Sequence, residues 1–268
     1  MSIAETIAET GISRDRLIKF EAGNLLLKTE EVIMLLDKML ITWDEFILMA
    51  NNFEAYQAES VISGIRLAHA AQNVKELKRL YDEYSVVSRK TYQIVSIYIK
   101  QLIFAIEEEG EVTKAEKKIV SNYYQQLSVW TFLDKSLFTI LFDVVEPKHK
   151  DNLITKFISS ISIKHLDRNN INLIFSALAN FFESYIEDNE KLNAEKILIT
   201  MDKEFGELGN RSVREKVLIK FYRGILEVAY GDRELGTATC EHVIEIMEEF
   251  NFSRIDIQVK YLEKILNK

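Results

Sequence analysis

Few side chains in this sequence have types and spacings that could do chemistry. The chain holds four histidines, His69, His149, His165 and His242, and one cysteine, Cys240. No two histidines stand at i, i+4, the spacing that places two imidazoles on one helix face for a metal. None joins a carboxylate cluster in ligand spacing either. A lone cysteine allows neither an internal disulfide nor a cysteine-based metal site, and Cys240 reads as a small packing residue inside a helix over 233–250. No GxSxG, Walker or GxGxxG loop occurs, and 9 scattered glycines could hardly build one. Serine–histidine pairs are too diffuse to name a nucleophile. The acidic run "IEEEGE" at 106–111 could chelate a cation, but an exposed helix end accounts for it better. Tyr123 with Tyr124, and Trp130 with Phe132, read as packing rather than as a base-stacking platform. These residues predict no metal, no cofactor and no enzyme.

One stretch offers a different chemistry. Residues 13–23 read "SRDRLIKFEAG", and a short helix that presents Ser13, Arg14, Arg16 and Lys19 from its first turns could contact DNA in a groove. Leu17, Ile18 and Phe20 would form its packing side. The preceding helix, about 2–10, carries an apolar stripe of Ile3, Ala4, Ile7 and Ala8, and the tight "TGIS" link between the two is helix-turn-helix spacing. Against this stands the local charge. Residues 1–52 hold 5 basic and 9 acidic side chains, a balance of −4. The residues alone therefore fit a solvated helix face better than a recognition helix.

The elements that would position these side chains are helical. Proline occurs once, at Pro147, and glycine 9 times in 268 residues. Helix interiors tolerate both poorly and turns normally use both, so such scarcity predicts an all-α chain with short polar turns. No period-2 run bounded by turn residues suggests a strand. Further short helices are expected over 29–40 and 43–51. Gly11 and Gly23 would sit just past helix ends, and Ser13, Thr29 and Thr42 would serve as N-caps. Glu45, three residues after Thr42, completes a capping-box pattern. The formal net charge of −8 argues against a protein whose whole surface coats nucleic acid, so any DNA contact must be local. No apolar run reaches membrane-spanning length and no signal peptide opens the chain, which places it in the cytoplasm without a membrane partner.

From residue 55 the helices lengthen and pair. First helices starting near 55, 88, 130, 171 and 212 have a near-constant spacing, as in a solenoid of stacked helical hairpins. Leu178, Ala179, Phe182, Ala194 and Leu198 follow the large, small and aromatic rhythm of a tetratricopeptide hairpin. Gly224, Tyr230, Gly231 and Gly236 suggest another pair in close approach, and a last helix over about 254–267 would cap the stack. The fold expected is a short helix-turn-helix region, 1–52, followed by a right-handed α-solenoid, 53–268. Its first helices would line a concave face suited to extended peptides.

The segment "SRDRLIKFEAGNLLLKTEEVIMLLDKMLITWDEFILMANNF", residues 13–53, resembles the Rgg/GadR/MutR type of transcriptional regulator of Gram-positive bacteria. Ser13, Phe20, Glu21, Gly23, Leu35, Leu36, Asp44, Glu45 and Phe46 fall on that family's pattern. "LSVWTFLDKSLF" at 127–138 and "REKVLIKFYRGILEVAYGD" at 214–232 look like its repeat segments. The resemblance implies a cytoplasmic homodimer that binds a palindromic operator and holds a short signalling peptide on its repeats. On it, Ser13, Arg14, Arg16 and Lys19 fall on recognition-helix positions. Asn180 occupies the position of a peptide-clamping asparagine, with Tyr98, Gln101 and Arg223 as further peptide contacts. Two departures follow. Ala22 replaces an arginine of the family's "SRFERG". A family helix that would precede Ser2 is missing, which would strip cover from Ile3, Ile7, Leu17 and Leu35. A repeat scaffold that binds a peptide or protein, but no DNA, is the alternative.

Overall fold

A computed structural model describes residues 2–50, 57–161 and 168–268. Its secondary structure there is α-helical apart from one 3-10 turn, Gly209–Ser212, with no strand among the described residues. The expected 52/53 boundary and His165 lie outside them. The chain divides into two compact units, 1–63 and 64–268. Among the described residues no helix is long and apolar enough to cross a membrane.

The first unit contains α1 (Ile3–Ile7), α2 (Arg14–Glu21), α3 (Thr29–Met39) and α4 (Trp43–Ala50). Ser13 Oγ accepts from the Arg16 amide at 3.3 Å and so starts α2. Gly23 stands past its end at φ 72°, a left-handed conformation that a side chain would strain. Thr42 and Glu45 exchange backbone hydrogen bonds at 2.8 and 3.2 Å, the capping box read from the sequence. Thr29 is a correction. It is the first helical residue, and the N-cap is Lys28, whose amide donates to the Glu31 carboxylate at 2.9 Å. Glu31 thereby satisfies the amide of the cap residue itself, the half of a capping box that needs no hydroxyl at the cap.

A small core of Ile12, Leu17 and Leu35 holds these helices, with Ile3, Ile7, Phe20, Leu27 and Met39 packed against it. The expected loss of cover does not reach Leu17 or Leu35, each 4% exposed, while Ile3 and Ile7 are half-buried. Ala4 and Ala8 are exposed and Thr6 is buried in their place. Ile18, read as a packing residue, is 44% exposed, because the helix directs Leu17 and Phe20 inwards and carries Ile18 round to the opposite side.

The second unit is a series of helical hairpins. Helix α5 (Gln57–Ala70) leads in from the first unit, followed by α6 (Val74–Ser85), α7 (Lys90–Glu107), α8 (Lys114–Gln126), α9 (Phe132–Leu141), α10 (Pro147–Ser159), α11 (Arg168–Glu187), α12 (Lys191–Gly206), α13 (Val213–Tyr230), α14 (Arg233–Glu249) and α15 (Ile255–Leu266). The helices α7, α9, α11 and α13 pack on one another in sequence, and α12, α14 and α15 pack beside them. Leu178, Ala179, Phe182, Ala194 and Leu198 are all buried, as their rhythm requires. Tyr124, Trp130, Phe138, Phe157 and Phe181 interleave with ring centroids 4.7–5.8 Å apart, so Tyr124 and Trp130 of the aromatic pairs read from the sequence belong to the core, while Tyr123 and Phe132 are half-buried. The "IEEEGE" run ends α7, with Glu108 and Gly110 in left-handed conformations.

The closest approach is between α13 and α14. A Cβ added to Gly224 would lie 2.6 Å from Cys240 Sγ, and one added to Gly236 would lie 2.5 Å from the Val228 amide nitrogen. Gly231 does not share this role. Its added Cβ would meet only the side chain and backbone of Glu227 on its own helix, because the chain there has already turned out of α13.

Candidate functional site

A cavity of about 520 Å³ opens on the face built from α7, α9 and α11. Helical period places it there: Asn180, Glu183, Ser184 and Glu187 recur at three and four residues, so one side of α11 presents them together. The amide Nδ2 of Asn180 donates to the Thr139 carbonyl at 2.8 Å, tying α11 to α9. Its Oδ1 accepts no hydrogen bond among the described residues, and the Gln101 amide on α7 is uncommitted in the same sense. Two side-chain amides thus share one cavity with donors and acceptors to spare.

The charged groups are more tightly engaged. Lys150 Nζ donates to Ser184 Oγ at 2.8 Å and pairs with Asp188 at 3.1 Å and Asp143 at 3.2 Å. Burial draws the lysine pKa down, but the two carboxylates outweigh it and hold the ammonium above its ordinary value. Asp143 moves up, because burial exceeds the help it receives from Lys150 and Ser184. Glu183 accepts from the Tyr222 hydroxyl at 2.9 Å, yet burial pushes its carboxyl up to about 7. Glu187 is held by Lys264 of α15 at 2.5 Å.

Tyr98 and Arg223 are not at this cavity. Tyr98 is 3% exposed within the helix stack, where burial raises its phenol pKa. Arg223 faces α12 and pairs with Asp202. Helix rotation turns Tyr98 into the stack, and a neighbouring acid engages Arg223.

On α2 the four candidate DNA contacts differ in what holds them. Ser13 is spent as the cap. The Arg16 guanidinium forks onto Glu31 of α3 at 2.7 and 3.0 Å, which fastens α2 to α3. Lys19 pairs with Asp15 at 2.8 Å across one exposed turn. Arg14 is exposed and pairs with none of the described residues.

Residues 77–260 match the C-terminal domain of the HTH-type transcriptional regulator Rgg. The chain belongs to the Rgg family. This is a family of transcriptional regulators and not a class of enzymes. Its fold also recurs in solved structures. A Listeria monocytogenes EGD-e protein assigned as a transcriptional regulator superposes with a TM-score of 0.85, over 100% of this chain and 92% of that one, at 17% identity. The SHP pheromone receptor Rgg2 of Streptococcus dysgalactiae gives 0.81, over 99% and 93%, at 18% identity. A PrgX variant gives 0.74, over 98% and 89%, at 14% identity.

Within this Rgg-family chain the sequence reading found Asn180 and Gln101, which the fold brings into one cavity. It missed Lys150, Glu183 and Asp188, since ordinary lysines and acids in amphipathic helices carry no local mark. The i, i+3, i+4 row on α11 was the one available signal.

Proposed function

We propose that this protein is a cytoplasmic, peptide-responsive transcription regulator. It acts as a homodimer whose two α2 helices read a palindromic site, with Arg14 and Lys19 on phosphate or base edges and Arg16 orienting the helix. A short signalling peptide occupies the cavity on α7, α9 and α11. The observation that carries this reading is the pair of uncommitted amides, Asn180 and Gln101, in one open cavity. An extended peptide needs partners for its backbone N–H and C=O groups once water is excluded, and side-chain amides offer both a donor and an acceptor. Membership of a regulator family supports the reading. So does the fold shared with a protein described as a pheromone receptor.

The peptide can change DNA binding only by favouring one arrangement of the dimer over another. Two-fold symmetry of that dimer would set the operator's symmetry and half-site spacing. The ion pairs that occupy Arg16 and Lys19 favour a second reading, a repeat scaffold that binds peptide or protein without DNA.

Selection of a displayed random heptapeptide library on the full chain tests the peptide half. Convergent sequences are expected whose binding falls at least tenfold in Asn180→Ala and Gln101→Ala. Selected peptides that bind the double variant unchanged would put the site elsewhere.

A further inference from the structure

We propose that the ligand of this cavity is cationic: a short peptide whose lysine or arginine side chain, or free N-terminal ammonium, seats against Glu183 and Asp188. The inference rests on the peptide reading above and adds the ligand's charge to it.

Lys150 is the single cation among the residues that line the cavity, and an ammonium has three donors. All three are taken by the cavity's own oxygens, on Ser184, Asp143 and Asp188. Lys150 therefore has none left for a ligand carboxylate. Acceptors are in excess. Asn180 Oδ1 is open, Glu183 uses one oxygen for Tyr222, and Asp188 uses one for Lys150. Glu187 is neutralised from outside the cavity by Lys264.

Four carboxylates line this space, and Lys150 and Lys264 balance two of them. An anionic or purely acceptor ligand meets repulsion there, and a neutral one leaves the half-buried Glu183 without an ion pair of its own. A ligand ammonium or guanidinium supplies both the missing donors and the missing charge. Burial, with Glu187 nearby, pushes the Glu183 carboxyl up to about 7 despite Tyr222 and Lys264, so a further cation beside it would be favoured.

The test uses the full chain at pH 8, where Glu183 is ionised. Three heptapeptide probes share an acetylated N-terminus, a C-terminal fluorophore and a Leu/Ile/Val core. They differ only in carrying two lysines, two glutamines or two glutamates. Fluorescence anisotropy is expected to show the lysine probe binding about tenfold tighter than the glutamine probe, and the glutamate probe weakest. The lysine advantage should shrink between about 50 and about 500 mM salt as screening shortens. Glu183→Gln and Asp188→Asn should each remove most of that advantage by weakening the lysine probe and not the glutamine probe. Equal or tighter binding of the glutamine or glutamate probe overturns the proposal and leaves the peptide reading standing. So does a lysine advantage that salt does not diminish. If none of the three probes binds, the peptide reading fails and takes this proposal with it.

Discussion

Gly236→Ala should destabilise the second unit, against the usual rule that alanine strengthens a helix. The rule itself predicts a gain of about 1 kcal/mol at an interior helical glycine. Here the added methyl would stand 2.5 Å from the Val228 nitrogen, 2.7 Å from the Gly224 carbonyl oxygen and 2.9 Å from Glu227 Cβ. Two of these atoms belong to the backbone of α13 and cannot rotate away. Normal contact begins near about 3.5 Å, so α13 and α14 must part by about 1 Å. Parting them loosens the packing of α14, whose Cys240, Val243 and Met247 are buried, with Cys240 Sγ against the Phe221 carbonyl of α13. Overpacking of this kind costs about 1–3 kcal/mol and can cost more. With the propensity gain subtracted, a net loss of up to about 2 kcal/mol is expected, or up to roughly 4–8 °C in Tm for a unit of this size. Circular dichroism melts and urea titrations measure it. Gly64→Ala is the control: Gly64 lies within α5 with nothing within 4 Å of an added Cβ, so that variant should match or exceed the parent. A Gly236→Ala protein as stable as Gly64→Ala would refute the close approach of α13 and α14.

Three further outcomes follow from the same geometry. The Glu183 carboxyl is raised from 4.5 to about 7 in the folded chain, so the native state holds more protons than the unfolded one in between. Stability should therefore fall as pH rises from about 4.5 to 7, by up to about 2–3 kcal/mol from this group, and Glu183→Gln should flatten that slope in urea titrations run at several pH values. Glu215 is fully buried and takes a forked hydrogen bond from Arg168 at 2.8 and 3.1 Å. Arg168→Ala leaves that carboxylate with Arg214 at 3.7 Å and should cost about 1–3 kcal/mol by denaturation, whereas replacing both partners by apolar residues should cost less. On α2, Arg14→Ala should weaken DNA binding and reduce the salt slope by about 1 per protomer without changing stability. Arg16→Ala should instead lower the melting temperature of the first unit, because it removes the link to Glu31.

The helices were legible because proline is nearly absent and because caps such as Ser13 and Thr42 are local devices. The same holds for the paired helices, whose small residues, Gly224 and Gly236, mark where two backbones meet. Which way Ile18 and Tyr98 face depends on a helix rotation of a few tens of degrees, which neighbouring helices set and the sequence does not print. The pairing of Arg223 with Asp202 is likewise tertiary. The cavity's charge was hidden for another reason. Lys150 and Asp188 lie 38 residues apart, and only the hairpin stack brings them to 3.1 Å. Arg16 stands on α2 where the sequence puts a helix, but its engagement with Glu31, fifteen residues away, is tertiary.

The central claim is that this chain reads DNA through α2. The most direct measurement is binding of the purified chain to sheared genomic DNA across a salt series. A dimer that places Arg14 and Lys19 of both protomers on phosphates predicts a linear fall of log affinity with log salt, with a slope of about −3 to −4, and a loss of about two units of that slope in Arg14→Ala. No binding at low salt, or a slope that Arg14→Ala leaves unchanged, would contradict the claim and favour the scaffold reading.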